Sequence, residues 1–139
     1  MDNDIAQDQE KIKTFWNKRV EQKNIAGSND FMLKELELEQ LLSIIPNNSK
    51  VLDIGCGNGE SLINLAEKKS CCGVGVDFAE NLIGYAQNRI SEKNIKEDIK
   101  FETGQIPGLS FDSNSFDIII SERCMINLPT VDFTKTIFI

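Results

Sequence analysis

The stretch Lys50-Val51-Leu52-Asp53-Ile54-Gly55-Cys56-Gly57-Asn58-Gly59-Glu60-Ser61 decides how this chain folds. A short apolar run ends in an acid and a hydrophobe, three alternating glycines follow, and a helical pattern then begins. This order predicts a buried strand, a tight turn and a helix N-terminus, because glycine adopts the backbone angles that such turns need. Glycines that permit close approach, together with the N–H groups of a helix N-terminus, suit a bound ligand.

Strand-like and helix-like segments alternate through the middle of the chain. The predicted strands are residues 50–54, 71–77, 99–103 and 116–121, and the predicted helices are residues 5–20, 31–45, 59–68 and 78–94. Such alternation indicates βαβ units, and therefore an α/β fold with a parallel sheet and right-handed crossovers. We expect the unbroken isoleucines of the last strand to be covered on both faces.

The length of 139 residues predicts one domain, in which residues 1–30 form an N-terminal amphipathic helix and a loop. Ile12, Phe15, Trp16 and Val20 share one face of that helix. Two interpretations stay open for this face. It packs on the main domain, or it covers a ligand pocket with Trp16 or Arg19 reaching inward.

Composition excludes several functions. The formal net charge is -7, which argues against nucleic-acid binding by bulk positive charge, and the chain contains no histidine to act as a neutral-pH base. No apolar run has the length of a membrane span, and the acidic start predicts no signal peptide. The cysteines lack metal-ligand spacing, so we predict no metal site and a cytoplasmic protein with reduced thiols: Cys56, Cys71, Cys72 and Cys124.

Polar, acidic or glycine residues follow each predicted strand. They occupy residues 53–59, position 77, residues 103–106 and residues 121–124. Ligands of open parallel sheets bind outside the carboxyl ends of the strands. We therefore expect the ligand at this edge.

The glycine spacing narrows the nature of the ligand. A dinucleotide fingerprint reads G-x-G-x-x-G, whereas here Glu60 stands where the third glycine would allow close packing of helix and strand. Asp53 repels a phosphate but suits a positively charged group. Asp77 ends the next strand, about twenty residues further on, where an acid binds a ribose diol. A ribose without phosphates and with a cationic group describes S-adenosylmethionine.

At this point the chain resembles the class I S-adenosylmethionine-dependent methyltransferases. The resemblance is carried by residues 51–59, by Gly75-Val76-Asp77 and by residues 115–121, and it covers about residues 15–128. It implies a Rossmann-like parallel sheet with strand order 3-2-1-4, flanked by helices.

The resemblance also implies roles for residues on the methionine and ribose side. Gly55, Cys56 and Gly57 would lie along the methionine part of the cofactor. Asp53 would orient the loop and reach the amino group, directly or through water, although fixing the loop alone is an equal alternative. Asp77 would hold both ribose hydroxyls, with a simple helix cap as its alternative.

Other residues are implied on the adenine and methyl side. Phe78 would flank the adenine, with Asn81 near it. Gln105, followed by Ile106, replaces an acid that contacts the adenine amino group in family members, and its amide oxygen can still accept a hydrogen bond. Ser121 would sit below the methyl group.

The sequence indicates the catalytic residues less clearly than the cofactor-binding residues. The donor's methyl group is already activated, so the protein has to align a nucleophile and exclude water. Glu122, beside Ser121 at the mouth of the acceptor site, is the candidate general base, and a surface ion pair with Arg123 is the alternative. Cys124 is interpreted as a packing residue.

The family pattern stops after the fourth strand, where members continue with further helices and three more strands. We therefore expect a C-terminally incomplete methyltransferase domain in which strand four is an open edge, available for self-association or for a partner. The alternative is that the C-terminal tail covers part of this edge as an extra strand. The function predicted is methyl transfer to a small-molecule acceptor. The alternative is a non-catalytic or remnant cofactor-binding module, and a dinucleotide-dependent oxidoreductase is a distant third.

Overall fold

The computed structural model describes residues 2–18, 31–104, 108–122 and 124, with side chains from residue 6 onward. Within these residues the chain forms helices and strands that alternate from the third element to the seventh, and a further strand follows. In chain order they are α1 (Asp2–Lys18), α2 (Phe31–Ile44), β1 (Lys50–Ile54), α3 (Glu60–Lys69), β2 (Cys72–Asp77), α4 (Glu80–Glu92), β3 (Ile99–Thr103) and β4 (Ile118–Ile120).

The four strands form one parallel sheet with the order β3-β2-β1-β4. Asp53 of β1 lies opposite Gly75 on one side and Ile120 on the other, and Asp77 lies opposite Thr103. The carboxyl ends of all four strands therefore meet at one edge. The α/β class and the 3-2-1-4 order that the sequence predicted are confirmed.

The main core lies between one face of the sheet and helices α3 and α4. Val51, Phe101 and Ile120 face the helices from the sheet, and Leu62, Ile63, Leu65, Ile83 and Ala86 pack against them. The opposite face holds Leu52, Ile54 and Val76 under a smaller cover: Val74, Leu109, Phe116 and Cys124. Burial on both faces explains why the strands read as continuous apolar runs.

Strand β4 departs from the prediction. It covers only Ile118–Ile120. Just before it, Asp117 pairs with Lys50 partly through its side chain: Asp117 N–H donates to Lys50 O at 2.8 Å, and Asp117 Oδ2 accepts from Lys50 N at 2.8 Å. The expected cover on both faces is wrong for Ile119, whose side chain is 64% exposed in the described structure.

The face of α1 that the sequence predicted needs correction, and α2 contacts the core only near its end. Phe15 was placed on the buried stripe of α1 but is 54% exposed, whereas Trp16 packs on Ala79 and Leu82. In α2, Leu33 and Leu36 are exposed, and the contact with the core comes from residues near the end of the helix: Leu41, Leu42 and Ile45.

Candidate cofactor site

The glycine turn after β1 is held against β2 by its own backbone. Gly55 N and Cys56 N both donate to Val76 O, at 2.7 and 3.1 Å. Gly55, Gly57 and Gly59 adopt φ values of 76°, 55° and 79°, in the left-handed region that favours glycine. The alternating glycines thus permit the chain to reverse within a few residues and enter α3.

Asp77 ties this turn to the end of β2. Its Oδ2 accepts from Gly57 N at 2.9 Å, and its Oδ1 accepts from Ala79 N at 2.9 Å. Burial raises the pKa of Asp77, and the backbone hydrogen bonds from Ala79, Gly57 and Phe78 oppose that rise. A carboxylate oxygen has more than one lone pair, so each oxygen keeps capacity for a further donor such as a hydroxyl.

Two glycines of the turn differ in what surrounds them. A Cβ placed on Gly57 would meet no atom within 4 Å, whereas a Cβ on Gly59 would lie 2.5 Å from Cζ of Phe101 and 3.0 Å from Cβ of Ala86. Gly59 therefore supplies the close packing of helix and strand that the sequence argument assigned to the position of Glu60. Gly57 leaves an open side on which a ligand can approach the backbone.

Asp53 lies at the same edge and is only 3% exposed. Burial raises the pKa of Asp53 well above its ordinary value, and the negative charges of Glu122 and Asp77 raise it further, while Lys34 opposes them. Three carboxyl groups therefore meet where β1, β2 and β4 end. A positively charged group bound there would relieve their repulsion, and this charge pattern is unfavourable for a pyrophosphate.

Glu122 reaches this cluster from the segment after β4. Ser61 Oγ donates to Glu122 Oε2 at 2.8 Å, and Oε1 is buried without a hydrogen-bond partner among the described residues. The Glu122 carboxylate points back to α3, and the ion-pair alternative with Arg123 stays a prediction. Arg123 lies outside the described residues.

Sequence reasoning missed Ser61 altogether. A small hydroxyl residue directly after the glycine turn and near the start of α3 was the available signal. Nothing local connects it to a glutamate sixty-one positions away.

The remaining residues after β4 pack close to the glycine turn. A Cβ on Gly55 would lie 2.5 Å from Cβ of Cys124, and burial raises the pKa of Cys124 to about 11. Cys124 also contacts the apolar face formed by Leu52, Ile54 and Val76, so it packs there as predicted. Ser121 Oγ is buried, and its hydrogen bond with the Cys124 thiol opposes the rise in the pKa of Cys124.

The expected adenine side is only partly described. Phe78 is half-buried directly after Asp77, and Cys56 directs its side chain into the main core. Asn81 is exposed, and its N–H donates to Asn17 Oδ1 of α1 at 3.0 Å. Gln105 and Ile106 lie outside the described residues.

Helix α1 packs on the beginning of α4, next to Asp77. Trp16 contacts Ala79 and Leu82, and Lys13 Nζ lies 2.8 Å from Glu80 Oε1. The packing interpretation of α1 is confirmed, and its position beside the edge is compatible with the covering interpretation. Arg19 lies outside the described residues.

The described residues contain neither a membrane-spanning helix nor a cluster of metal-binding side chains. None of their helices is both long and apolar enough to cross a bilayer. Their histidine, cysteine and acidic side chains form no group of three that could hold a metal ion.

Comparison with known proteins identifies the family. A family model described as a methyltransferase domain matches residues 45–137, which is more than half of the chain. The chain belongs to the class I methyltransferase family. The methyl donor of this family is S-adenosylmethionine, and the match includes the glycine turn, Asp77 and the segment after β4.

Named relatives of this methyltransferase chain act on different compounds. It is 34% identical over 104 residues to phosphoethanolamine N-methyltransferase of Plasmodium falciparum, covering 75% of this chain and 35% of that protein. It is 30% identical over 127 residues to a ubiquinone biosynthesis O-methyltransferase of Coxiella burnetii, covering 91% of this chain and 49% of that protein. The chain thus spans less than half the length of each.

A solved structure extends the similarity to the fold. Phosphoethanolamine N-methyltransferase 1 of Haemonchus contortus, in complex with phosphoethanolamine and S-adenosylhomocysteine, superposes with a TM-score of 0.73 at 26% identity. The alignment covers 89% of this methyltransferase chain and 27% of that protein.

Proposed function

We propose that this protein transfers a methyl group from S-adenosylmethionine to a small-molecule acceptor. The proposal rests on the hydrogen bond from Gly57 N–H to the Asp77 carboxylate. This bond places an open glycine backbone beside a carboxylate that can still accept further hydrogen bonds. The family match supports the donor, and the three carboxyl groups at the edge favour a cationic ligand.

The donor-binding roles divide between the two strand ends. Asp77 would accept hydrogen bonds from both ribose hydroxyls, while Gly55, Cys56 and Gly57 would lie along the methionine part. Asp53 would favour the amino group electrostatically. When bound, the donor supplies a methyl group already activated on a sulfonium, so the chain's own work is to hold it, align the acceptor and exclude water.

The proposed adenine side is formed by Phe78 and Asn81, with Gln105 and Ile106 completing it. Helix α1 would shield this side through Trp16, which already packs beside Asp77's end of β2. Ser121 would lie nearest the methyl group. A hydroxyl or amine acceptor is proposed because relatives are named for O- and N-methylation.

We also propose a cytoplasmic protein, supported by its four free cysteines. The proposal assigns it neither a nucleic-acid nor a membrane partner. Among the described residues β4 is an edge strand of the sheet and Ile119 is exposed, and we propose that this edge meets further protein, either a second copy or another segment. Residues 1–139 would form one methyltransferase domain.

The experiment is calorimetric titration with S-adenosylhomocysteine, followed by labelled S-adenosylmethionine with a panel of small alcohols, phenols and amines. Asp77→Asn should weaken binding at least tenfold, because one oxygen becomes an amide nitrogen facing a backbone N–H. Asp112→Asn, in an exposed turn, is the matched control. Wild-type chain that binds neither compound would refute the proposal, and binding without transfer would favour the non-catalytic alternative.

A further inference from the structure

Glu122 is the acid at the strand edge whose surroundings the proposed catalytic role does not explain. A general base for an acceptor would stand at the acceptor's side, free to take and release a proton. Instead, Oε2 of Glu122 is engaged by the hydroxyl of Ser61, on the second residue of α3, at 2.8 Å. The carboxylate is thereby drawn toward the glycine turn and toward Asp53.

Ser61 is well placed to fix this carboxylate. Its residue is only 8% exposed, and it lies in the first turn of α3, where the positive end of the helix dipole favours a negative charge. A hydroxyl that donates to one carboxylate oxygen restricts the rotation of the whole group. Ser61 thus determines where the second oxygen, Oε1, is held.

The second carboxylate oxygen of Glu122 has no hydrogen-bond donor among the described residues. Oε1 of Glu122 is buried, and no described residue donates a hydrogen bond to it. An unpaired buried acceptor is costly, and the cost is larger for a charged group. The neighbouring acid, Asp53, adds repulsion rather than relief whenever both carboxyl groups are ionised, and the charge of Glu122 accordingly raises the pKa of Asp53. A positively charged group that donates a hydrogen bond is therefore the partner that would satisfy Oε1 of Glu122.

We propose that Glu122, positioned by Ser61, binds the ammonium group of the methyl donor's amino-acid part. Glu122 is then a donor-binding residue rather than the base that deprotonates the acceptor, and Ser61 is its positioning residue. The inference rests on the proposed function, since it assumes that S-adenosylmethionine is the ligand. It assigns a second carboxylate, besides Asp53, to the methionine end of the site.

Three ligands separate the possible roles of Glu122. S-adenosylhomocysteine keeps the ammonium group but lacks the sulfonium charge, S-adenosylmethionine carries both, and methylthioadenosine has neither while keeping the ribose and the adenine. Calorimetry with Glu122→Gln should show about tenfold weaker binding of the first two and at most a twofold change for methylthioadenosine. Ser61→Ala should weaken the first two about threefold, and Ser61→Thr, which keeps the hydroxyl, should restore binding.

Glu67→Gln, an exposed substitution of the same kind on α3, is the matched control and should bind like the wild type. Circular dichroism of every variant establishes that it is folded. A loss confined to S-adenosylmethionine would overturn the inference in favour of a sulfonium contact, and unchanged binding by Glu122→Gln would overturn it outright. Failure of the wild-type chain to bind any of the three would instead defeat the proposed function on which the inference rests.

Discussion

Replacing Gly57 by alanine separates the stability of the glycine turn from its capacity to admit a ligand. Gly57 has φ 55°, and a Cβ there would meet no atom within 4 Å. The only cost in the free protein is therefore the left-handed backbone of a non-glycine residue, about 1–2 kcal/mol. This is a minor part of the ~5–15 kcal/mol by which a domain is stable.

Ligand binding should respond more strongly than stability. The added methyl group would occupy the open side of the turn, where the proposed cofactor approaches the backbone. We expect at least tenfold weaker binding of S-adenosylhomocysteine by calorimetry, with a cooperative urea transition that is only slightly shifted.

Two other glycines serve as controls. Gly59→Ala combines φ 79° with a Cβ 2.5 Å from the Phe101 ring, so overpacking of about 1–3 kcal/mol should add to the backbone cost. Gly84→Ala, in α4 with nothing within 4 Å, should gain about 0.5–1 kcal/mol. Two results would refute the claim that Gly57 admits the ligand while Gly59 permits close packing of helix and strand. They are normal ligand binding by Gly57→Ala, or a Gly57→Ala variant that unfolds as readily as Gly59→Ala.

Three further outcomes are expected. The pKa of Asp53 is raised in the folded state, so the folded protein holds a proton that the unfolded chain releases above about pH 4. The free energy of unfolding measured in urea should therefore fall as the pH rises, and Asp53→Asn should reduce that dependence. An unchanged slope in the variant would contradict this. Leu82→Ala should shift the fluorescence of Trp16, the only tryptophan, to longer wavelength by loosening α1, and an unshifted spectrum would contradict that packing. Iodoacetamide should label Cys124 about 100-fold more slowly than a free thiol at pH 8, as mass spectrometry can measure, because its pKa is about 11; rapid labelling would show an exposed thiol.

Sequence alone determined the elements of the sheet and the sheet edge to which the candidate site is assigned. The bounds of β1 and β3 were predicted residue for residue, and the glycine turn and Asp77 were assigned to the ligand edge. These features are local: apolar runs, alternating glycines and an acid at a strand end express the preferences of neighbouring residues. Even the likeness to class I methyltransferases depends on such short contiguous motifs.

Tertiary structure decided which side chains meet at that edge. The bond from Ser61 to Glu122 joins residues sixty-one positions apart, and the contact of Gly59 with Phe101 depends on the register of β3 beside β2. The exposure of Ile119 follows from which face of β4 is covered. Such contacts depend on strand order, register and helix packing rather than on local preference. The role proposed for Glu122 could therefore be inferred only from the contact between α3 and the segment after β4.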